Sequence, residues 1–376
     1  MTDASLAGVV VADFSRVLAG PYATMLLADL GAEVVKVERP GVGDDTRAWG
    51  PPWTESGEAT YFLGVNRNKR SVALDLKTAD GRAAARRLAA RADVVIENFP
   101  PGTMERLGLG YDDVTALNPS VVYASVTGFG RGGGAELPGY DLLVQAVGGL
   151  MSVTGPGPGE PTKVGVALVD VVTGLHATIG ILAALRHRQR TGEGQRVEVN
   201  LLSSLLSALV NQASGYVAAG VVPGIMGNRH PSIAPYEVLD TADRPLALAV
   251  GNDKQFAALA GVLGRSELAT DPRFATNPSR VAHRDALAAE LTTALAARPA
   301  EEWAALLADA GVPCGPINDV GDAMALAERL GLAPVVTVDG VPTVADPIGL
   351  SATPVRYLLP PPALGAHTDE VLREFR

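Results

Sequence analysis

The sequence is nearly empty of the residues that build cross-links and metal sites. It has one cysteine, Cys314, and five histidines in 376 residues. A single cysteine excludes an internal disulfide and suits a reducing compartment, so a cytoplasmic location is expected. The histidines are scattered and no Cys/His cluster has zinc spacing, so no metal site is expected. An excess of positive charge is missing too: 31 Lys and Arg stand against 41 Asp and Glu, a net charge of −10. That sign disfavours a nucleic-acid surface, whose affinity rests on neutralising phosphates. The opening MTDASLAGVVVADF carries acids early and has no basic n-region, so no secretory signal is legible. Repeats of fixed period are not evident. The first strand-to-helix turn reads SRVLAGPYAT, not G-x-G-x-x-G, and no glycine-rich stretch runs into Gly-Lys-Ser/Thr. Dinucleotide and P-loop phosphate fingerprints are therefore absent.

What is present describes a globular protein, with 47% hydrophobic and 19% charged residues. A chain of 376 residues exceeds one ordinary core, which favours two domains. Residues 8–14 (GVVVADF) form a short Val-rich run that suits a buried parallel strand. Residues 22–29 read as a helix closed by Gly31, and 34–38 (VVKVE) as the second strand of a βαβ unit. Further strands are expected at 71–76, 93–96, 121–126 and 197–199, with helical patterns such as 81–92 and 201–218 between or after them. This alternation predicts an α/β fold, a Rossmann-like doubly wound parallel sheet with helices on both faces. The texture changes near Val221, where Pro and Gly cluster. Two short strands (236–239 and 246–250) and three Ala-rich helices (253–263, 284–297 and 300–310) then suggest a smaller α+β domain. The expected division is 1–220 with 323–376 as the large domain and 221–322 as the small one.

Doubly wound sheets bind ligands beyond the carboxyl ends of their strands. The chemistry is expected in the loops 15–20, 39–47, 97–102 and 128–139. Glu38 reads as a strand-end acid paired with Arg39. Two glycine-rich stretches, 128–139 and 154–161, fit either covers over a site or plain exposed connectors. From Lys36 to Arg106 there are 12 Lys/Arg and 10 Asp/Glu, a local excess of two positive charges that would suit an anionic ligand.

The stretch VALVDVVTGLHATIGILAAL (166–185) holds one carboxylate, Asp170, in an apolar run. Its Asp, Thr, Gly and His residues argue against a membrane span, so a buried helix of a soluble core is expected. Asp170 falls near the start of that helix, where exposed N–H groups would cap onto it and keep it ionised. The small residues Thr173, Gly174 and Ala177 that follow would let a partner approach closely. His176 lies off the Asp170 face and reads as a packed core histidine.

Several segments in colinear order carry a stronger signal: LAGPYATMLLADLGAEVVKVERPGVGDDTR, NRNKRSVALDLK, ADVVIENFPPGTMERLGL, YASVTGFG, GYDLLVQAVGG, VGVALVDVVTGLHATIGILAAL and GNRHPSIAPY. Together with PCGPINDV and LGAHTDEVL they closely resemble the class III CoA-transferase family. That family includes formyl-CoA and carnitine CoA-transferases and, as a related branch, the 2-methylacyl-CoA racemases. The resemblance implies that Asp170 is a nucleophile that accepts an acyl group from acyl-CoA and then carries CoA as an aspartyl thioester. It implies CoA contacts by Val17 (through its backbone), Arg39, Leu74, Lys77, Asn98, Phe99 and Arg106. Arg47 and Lys69 are additions on charge alone. Leu18, Tyr140 and Asp141 would shape the pocket for the acid. Arg16 and Leu18 depart from the histidine and glutamine of formyl-CoA transferase, which argues against formyl/oxalyl specificity. Racemases carry a histidine where this chain has Tyr140, and a phenol with a pKa of ~10 in water is a poor base near neutrality. The transferase branch is therefore expected, with coenzyme A or acyl-CoA as substrate and no tightly bound cofactor. A racemase or a non-catalytic acyl-CoA-binding protein are the alternatives. The resemblance further implies an interlocked homodimer, with the loop 227–231 of one subunit near Asp170 of the other. The acidic balance and the polar groups of 166–185 lead to no nucleic-acid or membrane partner being expected.

Overall fold

The computed structural model describes residues 4–376. The chain forms two compact units. One comprises the residues up to Leu150, Lys163–Val222 and Ala333–Arg376; the other comprises Met151–Thr162 and Pro223–Leu332.

The first unit runs β1 (Val10–Asp13), α1 (Ala19–Asp29), β2 (Glu33–Glu38), α2 (Thr60–Leu63), β3 (Lys69–Ala73), α3 (Ala79–Arg91), β4 (Val94–Glu97), α4 (Thr103–Arg106) and α5 (Tyr111–Leu117). It continues with β5 (Val122–Thr127), α6 (Asp141–Val147), α7 (Leu168–Thr191), β6 (Gln195–Asn200), α8 (Leu201–Ala208) and α9 (Val210–Ala219). The six strands form one sheet in the order β3-β2-β1-β4-β5-β6, and every pairing is parallel. The winding direction reverses between β1 and β4, as the doubly wound reading requires.

Alternation along the strands builds both faces. Val11, Val34, Ile96 and Ala124 meet Leu27 of α1, Ile181 of α7 and Leu205 of α8 in one core. Ala12, Val35, Val72 and Val95 meet Leu88 of α3 and Val114 of α5 in the other. Successive side chains of a strand point to opposite faces, so strands covered on both sides read as continuous apolar runs. Two close approaches fix α1. A Cβ on Gly20 would lie 2.3 Å from the Ser15 Cβ, and one on Gly174 of α7 would lie 2.7 Å from the Ala19 carbonyl oxygen.

Helix α7 is long and apolar enough, by length and composition, to cross a membrane. Its Thr173, Gly174, Ala177, Ile181 and Ala184 face is buried in the sheet-side core, whereas Leu168, Leu175 and Ile179 are exposed. The expectation of a buried helix therefore holds for one face only. His176 is half-buried and its Nδ1 lies 3.0 Å from Ser204 Oγ on α8.

Two expected elements shift. The strand sought at 71–76 is Lys69–Ala73; Lys69 looks too polar for an interior strand, yet it is fully buried among Asp13, Asn66 and the Pro21 carbonyl. The single helix sought at 201–218 is two helices, broken where Val210 adopts a positive φ of 36°. No glycine or proline marks the break in the sequence.

The second unit contains β7 (Tyr236–Leu239), β8 (Leu246–Ala249), α10 (Asp253–Val262), α11 (Asn277–Ala282), α12 (Arg284–Leu295), α13 (Ala300–Asp309), β9 (Cys314–Pro316) and α14 (Val320–Arg329). Its antiparallel sheet has the order β7-β8-β9, and Leu246, Leu248, Phe256, Leu291 and Trp303 form its core. The chain then returns to the first unit through the hairpin β10 (Val335–Val338) and β11 (Val341–Val344) and ends in α15 (Thr368–Glu374). Val371 and Phe375 close the core on the α3 side of the sheet.

Candidate active site

The carboxyl ends of β1, β4 and β5 open onto a cavity of about 560 Å³. Three strand-end segments and the start of α7 line it: Arg16–Ala19, Asn98–Pro101, residues 126–130 with 134–140, and Asp170. The glycine-rich segment 128–139 thus forms a wall of the cavity. Its two ends touch, since a Cβ on Gly128 would sit 2.4 Å from the Gly139 Cα. Only glycine at both positions lets the loop leave and return through one point.

The β1–α1 turn is held from beneath by buried charge. Val17 has φ of 70°, a left-handed conformation that disfavours a β-branched side chain and stores about 1–3 kcal/mol of strain. Its N–H is shared between both Asp44 oxygens at 3.3 Å. Lys36 Nζ pairs with Asp44 at 2.8 Å, both side chains fully buried, and donates to the Ser15 carbonyl at 3.0 Å. Burial opposes the charge on Lys36, but Asp44, Asp13 and Glu38 outweigh it and its pKa is raised. Lys69 lies deeper in the same group, and there burial wins over the attraction of Asp13, bringing its pKa down to about 7. The Asn98 amide closes the turn from β4, accepting from Arg16 N–H at 2.8 Å and donating to the Arg16 carbonyl at 2.7 Å.

Asp170 is the third residue of α7. It does not cap its own helix. That role falls to Asp141 at the start of α6, whose Oδ1 accepts from the N–H of Val169 at 2.8 Å and of Asp170 at 3.2 Å. The Asp170 carboxylate is half-buried and accepts no hydrogen bond from the described residues. Burial, reinforced by the negative charge of Asp141, pushes its pKa up to about 7. The expectation that Asp170 caps the helix end is overturned because Asp141 has taken the N–H groups, so the helix end does not offset the burial that raises its pKa. Of the other carboxylates along the cavity, Asp45 is engaged by Arg16 at 3.0 Å and Arg39 at 2.9 Å, and Glu136 is exposed.

A second, mostly apolar cavity of about 230 Å³ lies between the ends of β1, β2 and β3, lined by Arg39, Leu74, Lys77 and Leu107 among others. Arg16 and Phe99 line both cavities, with the Arg16 guanidinium 5.1 Å from the Phe99 ring centroid.

The residues singled out in the sequence therefore fall into two groups. Val17, Leu18, Asn98, Phe99, Arg106, Tyr140 and Asp170 line the larger cavity, and Arg39, Leu74, Lys77 and again Phe99 line the smaller. Asp141 lines neither. Lys69 is buried in the core, out of reach of a ligand. Arg47 is committed to Glu38 through two bonds of 2.8 and 2.7 Å. Glu38 thus pairs with Arg47 and not with Arg39, because the 39–47 loop folds back over the end of β2. The sequence reading missed Lys36, Asp44, Gln145 and Tyr61. A lysine inside a Val-rich strand and the paired acids of GVGDD were usable signals for the first two. Tyr61 packs in one cluster with Ala167 and Val171; burial and the charges of Asp170, Asp141 and Asp44 push its phenol pKa up.

A profile described as CoA-transferase family III matches residues 6–368. The chain belongs to CoA-transferase family III. It is 45% identical to a succinate–glutarate CoA-transferase of Agrobacterium fabrum, over 98% of this chain and 95% of that protein. It is 41% identical to the human succinyl-CoA:glutarate CoA-transferase, over 98% of this chain and 85% of that one. Among solved structures, a CAIB/BAIF family protein from Brucella suis superimposes with a TM-score of 0.90 at 44% identity, covering 100% of both chains. This family III CoA-transferase thus shares its fold with that protein over its full length.

Proposed function

We propose that this CoA-transferase moves CoA from an acyl-CoA to a free carboxylic acid through covalent intermediates on Asp170. The observation that carries the reading is a half-buried carboxylate with no hydrogen-bond partner among the described residues, facing the large cavity at the sheet's carboxyl end. The Asp170 carboxylate attacks the thioester carbonyl, the C–S bond breaks, and CoA leaves as the thiolate. The product is a mixed anhydride. The thiolate then attacks the aspartyl carbonyl of that anhydride and expels the donor acid as its carboxylate, leaving an aspartyl-CoA thioester. An acceptor carboxylate runs the same two steps backwards and departs as the new acyl-CoA. Covalent catalysis divides one difficult exchange into two easier ones and keeps the acyl group activated throughout.

The shared walls of the two cavities support a path for the long ligand. The nucleotide end sits in the smaller cavity with Arg39, Leu74 and Lys77, and the thioester reaches Asp170 in the larger one past Arg16 and Phe99. Guanidinium and ammonium groups suit the phosphates. Succinyl-CoA with glutarate is the first pair to assay, because relatives at 41–45% identity are named for that reaction. Subunit pairing as a homodimer is supported by the exposed Leu168, Leu175 and Ile179 of α7 and the exposed Tyr216 and Val217 of α9.

The test is chemical trapping. Incubation with donor acyl-CoA followed by borohydride or hydroxylamine should modify Asp170, as located by peptide mass spectrometry, and Asp170→Ala should abolish transfer. Retained transfer by Asp170→Ala refutes the assignment.

A further inference from the structure

The start of α7 is fixed by a relay of hydrogen bonds with one polarity. Gln145, a buried residue of α6, accepts the Val164 N–H on Oε1 at 2.9 Å. Its Nε2 donates to Asp141 Oδ2 at 2.6 Å. The other Asp141 oxygen accepts the N–H groups of Val169 and Asp170. Every donor in the relay points toward Asp141, and both of its oxygens are occupied as acceptors. An amide in its place would turn an NH₂ group toward the NH₂ of Gln145. Rotating the Gln145 amide would not help, since it would then face the Val164 N–H with a second donor.

We propose that Asp141 and Gln145 are positioning residues, forming an acceptor-terminated clamp that fixes the segment Val164–Asp170 and so aims the Asp170 carboxylate into the large cavity. This rests on the nucleophilic reading of Asp170. Asp141 does not line that cavity and touches the backbone on which the nucleophile is mounted, so it acts on Asp170 through position, beside its charge, and not by touching the ligand. Misplacing a reacting group by about 1 Å costs on the order of a hundredfold in rate, whereas a residue remote from the ligand has no comparable effect on binding. Asp141 is therefore separated from the pocket role that its family motif suggests.

The polarity supplies a sharp test. Asp141→Asn should lower kcat by about ten- to a hundredfold with KM for the acyl-CoA donor unchanged, and should reduce trapped aspartyl thioester in a single turnover. Adding Gln145→Glu restores complementarity: the new amide donates to the new carboxylate, whose second oxygen still accepts from Val164. The double variant should recover most of the lost kcat and trapping, and any thermal stability lost by the single variant. If Asp141→Asn does not fold, recovery of folding and kcat in the double variant still reads the clamp. The proposal is overturned if the single variant keeps the parental kcat, or if the double variant folds yet stays as slow as the single one. Transfer by Asp170→Ala would sink the underlying reading; loss of transfer there with a normal Asp141→Asn would sink this inference alone.

Discussion

At the scale of single residues, the site sets two carboxylates against each other. Among the described residues Asp141 collects N–H donors and Asp170 receives none, and burial, reinforced by the Asp141 charge, raises the Asp170 pKa from 3.8 to about 7. The direction fixes a pH dependence. A raised pKa leaves Asp170 largely protonated below about 7, and the protonated acid is not a nucleophile. The kcat/KM for the acyl-CoA donor, which reports the free enzyme, should therefore rise with pH through that value. Asp141 of α6 and Tyr61 of α2 are electrostatically coupled to Asp170; Arg16, paired with Asp45, and Arg106 line the same cavity without bringing its raised pKa back down. A profile already flat from the ordinary carboxylate range upward would contradict it. Asp170 was prominent in the sequence because it interrupts an apolar run. Its electrostatic state was not legible, because Asp141 lies 29 positions upstream and nothing in one sequence says which acid takes the helix end.

At the scale of elements, the strand-end turns were legible and their supports were not. The loops after β1, β4 and β5 were expected at the site from alternation alone, and these loops line the cavity. Lys36 and Asp44 escaped notice because a charge inside a strand normally argues against burial. Here the pair is mutually neutralised and holds Val17 in its unfavourable conformation. The seam between α1 and α7 is equally specific. Gly174→Val would drive its side chain into the Ala19 carbonyl oxygen, 2.7 Å from the Cβ position. The backbone cannot yield there without moving the Arg16–Ala19 wall. Overpacking of this kind costs about 1–3 kcal/mol, so the urea midpoint should fall and transfer activity with it. An unchanged midpoint would show that the helices separate freely at that seam.

At the scale of the whole molecule, the doubly wound sheet was readable because β1, β2, β4 and β5 are short Val-rich runs alternating with helical patterns, whereas β3 (KRSVA) and β6 (QRVEVN) are more polar. The broken helix at Val210 was not, because it carries neither glycine nor proline. The three-stranded sheet of the second unit was only partly visible, since β9 is three residues long. The exposed apolar side chains of α7 and α9 form the surface on which the homodimer proposal stands. Analytical ultracentrifugation at micromolar concentration should give twice the 38.7 kDa chain mass, and Ile179→Lys with Val217→Lys should shift the species toward monomer. A parental protein sedimenting as a single chain would reject pairing.

That no described residue donates to the Asp170 carboxylate has a consequence for the energetics of the proposed intermediates. In its ionised form the site holds a negative charge in a desolvated place, next to a second negative charge. Forming either the anhydride or the thioester converts that carboxylate into a neutral acyl group. The unloaded protein is then the electrostatically tense form and the acylated protein the relaxed one. On the proposed mechanism, part of the driving force for charging the enzyme is then built into the fold before any substrate arrives. A surface aspartate, comfortable in water, would have to be acylated against its own hydration.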